Sequence, residues 1–141
     1  MNSRKYPDFV RFQLPVVIWM AFIFTLSSLP GSTYKPYSFP NAHIIAHSLL
    51  FGMLFYLAYR ALKHQRFSRM LSELSLLFSL LLVALYGASD EYHQSFVPGR
   101  SEELKDFLVD VSAALVVLVI VMIFEKMRPA KVNLHSDESL E

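Results

Sequence analysis

Side chains able to do acid–base or metal-ligand chemistry are concentrated in the second half of the chain. Asp90 and His93 form one group, Asp106 and Asp110 form another, and His47 stands alone upstream. Residues three or four apart share a helix face, so each group presents one polar stripe if these segments are helical. Carboxylates paired with imidazole are typical of general acid–base catalysis or of divalent-cation binding.

These groups give a set of candidate roles. We assign candidate acid–base roles to Asp90, Asp110 and His47. The other polar groups nearby are candidate substrate-binding residues: Arg100, Glu91, His93, Gln94 and Asp106. Arg100 follows the turn signal Pro98-Gly99, so it is expected to fold back over the carboxylates, where its planar guanidinium suits a phosphate. Glu91 lies one position round the helix from Asp90 and is expected to point elsewhere, towards lipid headgroups, water or Arg100.

A metal-binding version of this site is one of two alternatives that the residue types leave open. Its ligands would be Asp90, His93, Asp106 and Asp110, with His47 as a further candidate. In the other alternative, the acids and Arg100 form an ion-pair network that needs no metal. The chain contains no cysteine, which excludes a thiolate metal site and a cysteine nucleophile.

Composition indicates what kind of element must position these groups. Of 141 residues, 54% are hydrophobic and only 18% are charged, and the mean hydropathy is +0.38. These values are too apolar for an ordinary soluble domain and favour a membrane protein. The net charge of +1 gives no extended positive field, so nucleic-acid binding is not expected.

Long apolar stretches alternate with polar turns along the chain. They are residues 14–29, 44–62, 74–89 and 107–124. A soluble helix bundle would show a polar face at the 3.6-residue period, whereas residues 74–88 and 111–124 are apolar on every side. We therefore predict an all-α fold, a four-helix transmembrane bundle. The first stretch is predicted to be a retained helix rather than a cleaved signal peptide, because Leu29-Pro30 is a poor cleavage site.

The distribution of Lys and Arg predicts the orientation of the four spans. Basic residues cluster before the first span, between the second and third, and after the fourth, so both termini should be cytoplasmic. Residues 31–43 and 95–105 should then face outward, where the ends of spans two to four bring His47, Asp90 and Asp110 to a similar depth. Residues 1–128 are predicted to form the membrane domain, and residues 129–141 a disordered tail.

The run from Asp90 to Arg100, followed by Asp106 and Asp110, resembles the signature of the VanZ-like membrane proteins. The piece Leu26-Ser27-Ser28-Leu29-Pro30 and His47 extend the likeness. Two positions depart from the family pattern, which often has lysine at position 44 and glycine at position 113, here Ile44 and Ala113. The resemblance implies a small multi-pass protein of the bacterial cell envelope. It also implies a link, in some members, to resistance against teicoplanin-type glycopeptide antibiotics, but no established reaction.

Three functions are compatible with these features. In the first, the protein is an enzyme that acts on a lipid-linked envelope precursor. In the second, it binds an envelope lipid, a glycopeptide or a neighbouring membrane protein without catalysis. In the third case the polar residues only hold the helices together. The sequence alone leaves the cofactor, the substrate and the oligomeric state open.

Overall fold

The computed structural model of the protein describes residues 8–33, 41–101 and 103–127. These residues form helices and turns, with no strand among them, so the all-helical prediction is confirmed for this part of the chain. A π-helical turn, Phe9–Gln13, leads into α1, and the helices are α1 Leu14–Ser27, α2 Ala42–His64, α3 Arg69–Glu73, α4 Ser75–Gln94 and α5 Leu104–Met127. The predicted tail, residues 129–141, lies outside the described residues.

Local sequence explains most helix ends. Pro15 lies in the first turn of α1, where its missing N–H costs nothing, and the helix stops shortly before Pro30. The short helix α3 was not predicted from the sequence. Its N-terminus is capped by Ser68, whose hydroxyl oxygen accepts a hydrogen bond from the Leu71 N–H. This cap lets α3 form in a segment that has no long apolar stretch.

Contacts between helix ends show that the four long helices alternate in direction. Ser27, at the end of α1, contacts Asp90 near the end of α4, and His47 near the start of α2 contacts Asp110 near the start of α5. Tyr59 and Glu125 are hydrogen-bonded at the other end of α2 and α5. We call the end that contains Asp90 and Asp110 the polar end.

Helix α2 is central, since it packs against α1, α4 and α5, whereas α1 and α5 do not touch each other within the described part of the chain. The buried core runs along α2 and the helices facing it. It consists of Val16, Ile23, Phe51, Leu54, Phe55, Tyr59, Ala61, Val83, Ala114 and Val121. Large apolar side chains also cover the outside, among them Leu49, Leu85 and Phe124. An apolar exterior around an apolar core is expected in lipid, where the exposed side chains contact hydrocarbon.

Three helical segments are long and apolar enough to cross a membrane. They are Phe9–Ser27, Ala42–His64 and Leu104–Met127, of 19, 23 and 24 residues. Helix α4 has 20 residues but ends in the polar run from Asp90 to Gln94, which lowers its mean hydropathy. The helix that departs from a plain membrane span is therefore the one that carries half of the predicted site residues.

Candidate functional site

His47 lies in the second turn of α2 and is held by an acid from α5. Its Nδ1 atom is 2.9 Å from Asp110 Oδ1, and its ring stacks on Phe51 with 5.9 Å between centroids. When the Asp110 carboxylate is ionised it can only accept a hydrogen bond, so Nδ1 is then the donor and a neutral ring keeps a lone pair on Nε2. The contacts with Asp110 and Phe51 fix the orientation of the ring.

Two further carboxylates approach this histidine. Asp106 precedes Asp110 by one helical turn, and its Oδ2 is 3.8 Å from His47 Nε2. Glu91 comes from α4, and one donor atom each of His47, Glu91 and Asp106 lie within 4.8 Å of one another. We call these four residues, His47, Glu91, Asp106 and Asp110, the His47 cluster. Its members come from three helices, so it depends on the fold.

The carboxylates of the His47 cluster are buried but incompletely paired. Asp110 has an exposed fraction of 0%. One oxygen of each acid is buried without a hydrogen-bond partner among the described residues: Glu91 Oε1, Asp106 Oδ1 and Asp110 Oδ2. The second oxygen of Glu91, Oε2, accepts a hydrogen bond from the Glu103 N–H at 2.9 Å. Buried polar atoms without partners are costly, so this arrangement disfavours a purely structural role.

A glycine allows the helices to approach at this point. A Cβ atom at Gly87 would lie 3.2 Å from Asp110 Oδ2 and 3.5 Å from Phe51 Cε1. The contact with Asp110 is tighter than ordinary packing, so a side chain here would require Asp110 or α4 to shift by a few tenths of an ångström. Gly87 therefore sets the distance between α4 and the acids of α5.

Asp90, next to Glu91, belongs to a second group with different surroundings. Its Oδ2 accepts hydrogen bonds from Ser27 Oγ at 2.9 Å and from Gln94 Nε2 at 2.8 Å. Arg100 donates from Nη1 to Gln94 Oε1 at 3.2 Å and from Nη2 to the Leu26 carbonyl at 3.4 Å. We call Ser27, Asp90, Gln94 and Arg100 the Asp90 network. It ties the end of α1 to α4 and to the turn that follows α4.

The backbone reinforces this junction. The Gly31 N–H donates to the Pro98 carbonyl at 3.1 Å, and Gly99 has a φ of +76°, a conformation that favours glycine. A Cβ atom at Gly31 would lie 1.9 Å from the Gly99 carbonyl oxygen. Gly31 is thus required by the direct contact between the segment after α1 and the turn before α5, and Gly99 is favoured by its left-handed backbone conformation.

Comparison with known proteins identifies the family to which this chain belongs. A model of the VanZ/LLP1 family matches residues 12–125. The chain belongs to the VanZ/LLP1 family. No curated protein and no solved structure shows significant similarity to it. Together with the three apolar helices, the family assignment makes the chain a membrane protein, and it confirms the resemblance found in the sequence.

In this VanZ/LLP1 family member, the predicted site residues separate into the two groups. His47 and Asp110 are in contact, as their common depth predicted. The proposed metal ligands Asp90 and His93 instead face α1: Asp90 contacts Ser27, while His93 Nε2 is 3.0 Å from Ser28 Oγ and its ring packs on Phe24. The set of ligands expected from the sequence is therefore not assembled, because one face of α4 packs on α1.

One sequence-based interpretation was wrong. Glu91 was expected to point towards lipid headgroups, water or Arg100, but it is buried against His47 and Asp106. Gln94, a candidate substrate-binding residue, is buried between Asp90 and Arg100. The partner role of Ser27 was also missed, although the Ser-Ser-x-Pro piece of the family resemblance contains this residue.

Proposed function

We propose that the four long helices of this VanZ/LLP1 protein form a four-helix transmembrane bundle with both termini in the cytoplasm. Arg11, Arg60 and Lys63 lie together at the end opposite the polar end, around a shared cavity. Positive charge favours the cytoplasmic side in multi-pass proteins, and this supports an outward-facing polar end.

Reporter fusions test this topology. An alkaline-phosphatase-type reporter should be inactive when fused after Gln65, between α2 and α3, and active when fused after Ser101, between α4 and α5. The reverse pattern would place the polar end in the cytoplasm and would overturn the orientation.

We further propose that the protein binds and acts on a lipid-linked component of the cell envelope through the His47 cluster. The observation that carries this proposal is the set of buried, incompletely paired carboxylates around one histidine at the end of apolar helices. Ionisable groups in such a position are costly in a membrane and are functional candidates by default. A soluble substrate would not require a site at the end of membrane helices.

The chemistry that this geometry supports is proton transfer. Asp110 holds the Nδ1–H of His47, which leaves Nε2 free to take a proton from a hydroxyl group or a water molecule. Asp106 and Glu91 lie where a polar headgroup would meet that nitrogen. Arg100 lies at the same end of the helices, and its planar fork suits a phosphate.

A scaffolding role is the second candidate, and it is supported by the Asp90 network alone. The carboxylate there receives two donors, so its surroundings are those of a structural contact. Interhelical polar bonds in membranes contribute about 0.6 to 2 kcal/mol each. We therefore assign Asp90 to holding α1 on α4, and the proposed active groups are His47, Glu91, Asp106 and Asp110.

Purified protein in lipid nanodiscs, incubated with a labelled undecaprenyl-diphosphate-linked precursor, tests the proposal. Turnover supports an enzyme, and saturable binding without turnover supports a non-catalytic binding protein. If neither turnover nor binding is observed, only the scaffolding role remains. His47→Gln should abolish the signal, whereas His64→Gln, a matched change at the opposite end of α2, should not. Equal behaviour of the two variants would contradict a role for the His47 cluster.

The proposed link to glycopeptides is tested in cells. Expression of the protein in a teicoplanin-sensitive host should raise tolerance, and His47→Gln at equal membrane abundance should remove the effect. Unchanged tolerance on expression of the parent protein would separate this chain from the resistance-linked members of its family.

A further inference from the structure

We propose that the His47 cluster is a binding site for a divalent first-row transition metal ion, of the Mn²⁺ or Zn²⁺ class. The ligands are the His47 imidazole and the carboxylates of Glu91 and Asp106, whose donor atoms lie within 4.8 Å of one another. The inference rests on the proposed function in that it assigns an ion to the same site. Its ligands differ from those of the metal-binding alternative considered from the sequence, because Asp90 and His93 are excluded and Asp110 only positions His47.

A buried side chain without a partner points to a ligand at this place. Glu91 is only 7% exposed, and its Oε1 has no hydrogen-bond partner within the described ranges. Asp106 Oδ1 is likewise buried without a hydrogen-bond partner among the described residues. A cation among these oxygens would satisfy them, whereas the described residues offer them no N–H or O–H donor. The cluster is therefore more than a group of acids that happen to be close.

The balance of charge supports a cation as well. Within the described ranges, the salt bridges of Asp106 and Asp110 both go to His47, and no Lys or Arg pairs with these acids or with Glu91. Buried carboxylates need a positive partner, and a single imidazole cannot serve three of them. A divalent ion would neutralise most of the remaining negative charge.

The hydrogen bond from His47 to Asp110 matches the surroundings of a metal-binding histidine. Metal-ligating histidines usually donate their second ring N–H to a carboxylate or a carbonyl group, which fixes the ring and raises the basicity of the other nitrogen. Here Nδ1 faces Asp110 Oδ1 at 2.9 Å, and Nε2 faces Asp106 Oδ2 at 3.8 Å. Asp110 is thus a positioning residue, and Nε2 is the ligand atom. With an ion bound, Nε2 would no longer be free to accept a proton, and a carboxylate of the His47 cluster would take that role in the proposed function.

The ligand types narrow the choice of ion. Two carboxylates with one imidazole form a mixed set, since imidazole suits Zn²⁺ and other first-row ions while oxygen donors alone favour Mg²⁺ and Ca²⁺. The chain has no cysteine, so soft thiolate chemistry is excluded. Mn²⁺ and Zn²⁺ accept both donor types, and positions not filled by protein would remain for water or substrate.

The test uses full-length, chelator-treated protein in nanodiscs, titrated with Mn²⁺ while the free-ion signal is followed by electron paramagnetic resonance. We expect one site per chain, competed by Zn²⁺ far better than by Ca²⁺. Glu91→Gln should weaken binding by more than about 100-fold, and Asp110→Asn by about 10- to 100-fold. The matched control Asp90→Asn removes the same charge from the neighbouring position and should change affinity by at most about tenfold.

Loss of binding in a variant counts only if the variant remains folded, so melting of the metal-free proteins is measured alongside. X-ray absorption of the Zn²⁺-loaded parent protein gives a readout without substitutions: one imidazole nitrogen among oxygen ligands is expected. Absence of Mn²⁺ binding at 1:1 stoichiometry, equal losses in Glu91→Gln and Asp90→Asn, or a zinc shell without imidazole would each overturn the proposal.

The metal test is separable from the proposed function. Lipid binding or turnover that survives chelation would leave the function standing and would remove the metal from it. Stoichiometric metal binding without any lipid binding or turnover would support the metal site and would contradict the proposed function. Chelation that abolishes lipid turnover, restored by Mn²⁺, supports both.

Discussion

Asp90 and Glu91 are adjacent acids, both buried at the polar end, yet their surroundings differ completely. Asp90 accepts two hydrogen bonds from side chains of α1 and α4. Glu91 accepts one from the Glu103 backbone and leaves its other oxygen without a partner among the described residues. Consecutive residues on a helix point about 100° apart, so Asp90 faces α1 while Glu91 faces α2 and α5.

This difference separates stability from function within one helical turn. Fully paired polar groups stabilise a fold, whereas incompletely paired ones lower its stability and persist where function requires them. The Asp90 carboxylate, which accepts two hydrogen bonds from side chains, therefore has the character of a structural contact, and the His47 cluster that of a site. Substitutions on the two sides should differ in kind, which the following predictions use.

Asp90→Ala should have the largest effect on folding. It leaves the Ser27 hydroxyl and the Gln94 amide buried without their acceptor, and the expected loss is about 3 kcal/mol in the free energy of unfolding. Equilibrium unfolding in mixed micelles measures it, with Ser89→Ala on the exposed side of α4 as the control. A loss no larger than that of the control would contradict the structural assignment of Asp90.

Gly31→Ala tests the backbone part of the same junction. The added Cβ would lie 1.9 Å from the Gly99 carbonyl oxygen, so the two segments must separate, at a cost of about 2 kcal/mol. Ser32→Ala, next to it and exposed, is the matched control. Equal melting temperatures for these two variants would show that the contact between Gly31 and Gly99 does not hold the polar end together.

The sequence was sufficient to predict the main elements of the fold. Four long helices coincide with the four apolar stretches, because the backbone of a long apolar stretch has no hydrogen-bond partner in lipid other than its own helix. The short helix α3 was missed, since it is formed by a local cap at Ser68 and not by a run of apolar residues. The helix α2 also begins earlier than its apolar stretch, at Ala42.

The site could be predicted only in part. Depth along the helices follows from residue number, so the contact of His47 with Asp106 and Asp110 could be predicted from the sequence. The rotation of α4 about its own axis could not be predicted, because polar residues occupy several of its faces from Asp90 to Gln94. That rotation depends on long-range packing, such as the close contact of Gly87 with Asp110, which no local pattern reveals.

Arg100→Lys should have a smaller effect than the two changes above. The guanidinium donates from two nitrogens, to Gln94 and to the Leu26 carbonyl, and an ammonium group cannot reach both in that geometry. The expected loss is about 1 kcal/mol in the free energy of unfolding. If lipid binding falls much further than stability, Arg100 also contacts the substrate; if both are unchanged, positive charge alone is sufficient at this position.

Glu91→Gln should have the smallest effect on the fold and the greatest on the site. The amide oxygen can still accept from the Glu103 N–H, its NH₂ group can donate to nearby acceptors such as Asp106, and a buried negative charge is removed. In the presence of chelator we therefore expect unfolding free energy to change by less than about 1 kcal/mol, in the stabilising direction. Added Mn²⁺ at 100 times its Kd should stabilise the parent protein by about 2.7 kcal/mol and the variant by no more than about 0.4 kcal/mol. Asp90→Asn is the sharpest control, because it should be less stable than the parent protein and should still respond to Mn²⁺. If Glu91→Gln is the less stable of the two variants without metal, the two acids have the opposite roles to those assigned to them.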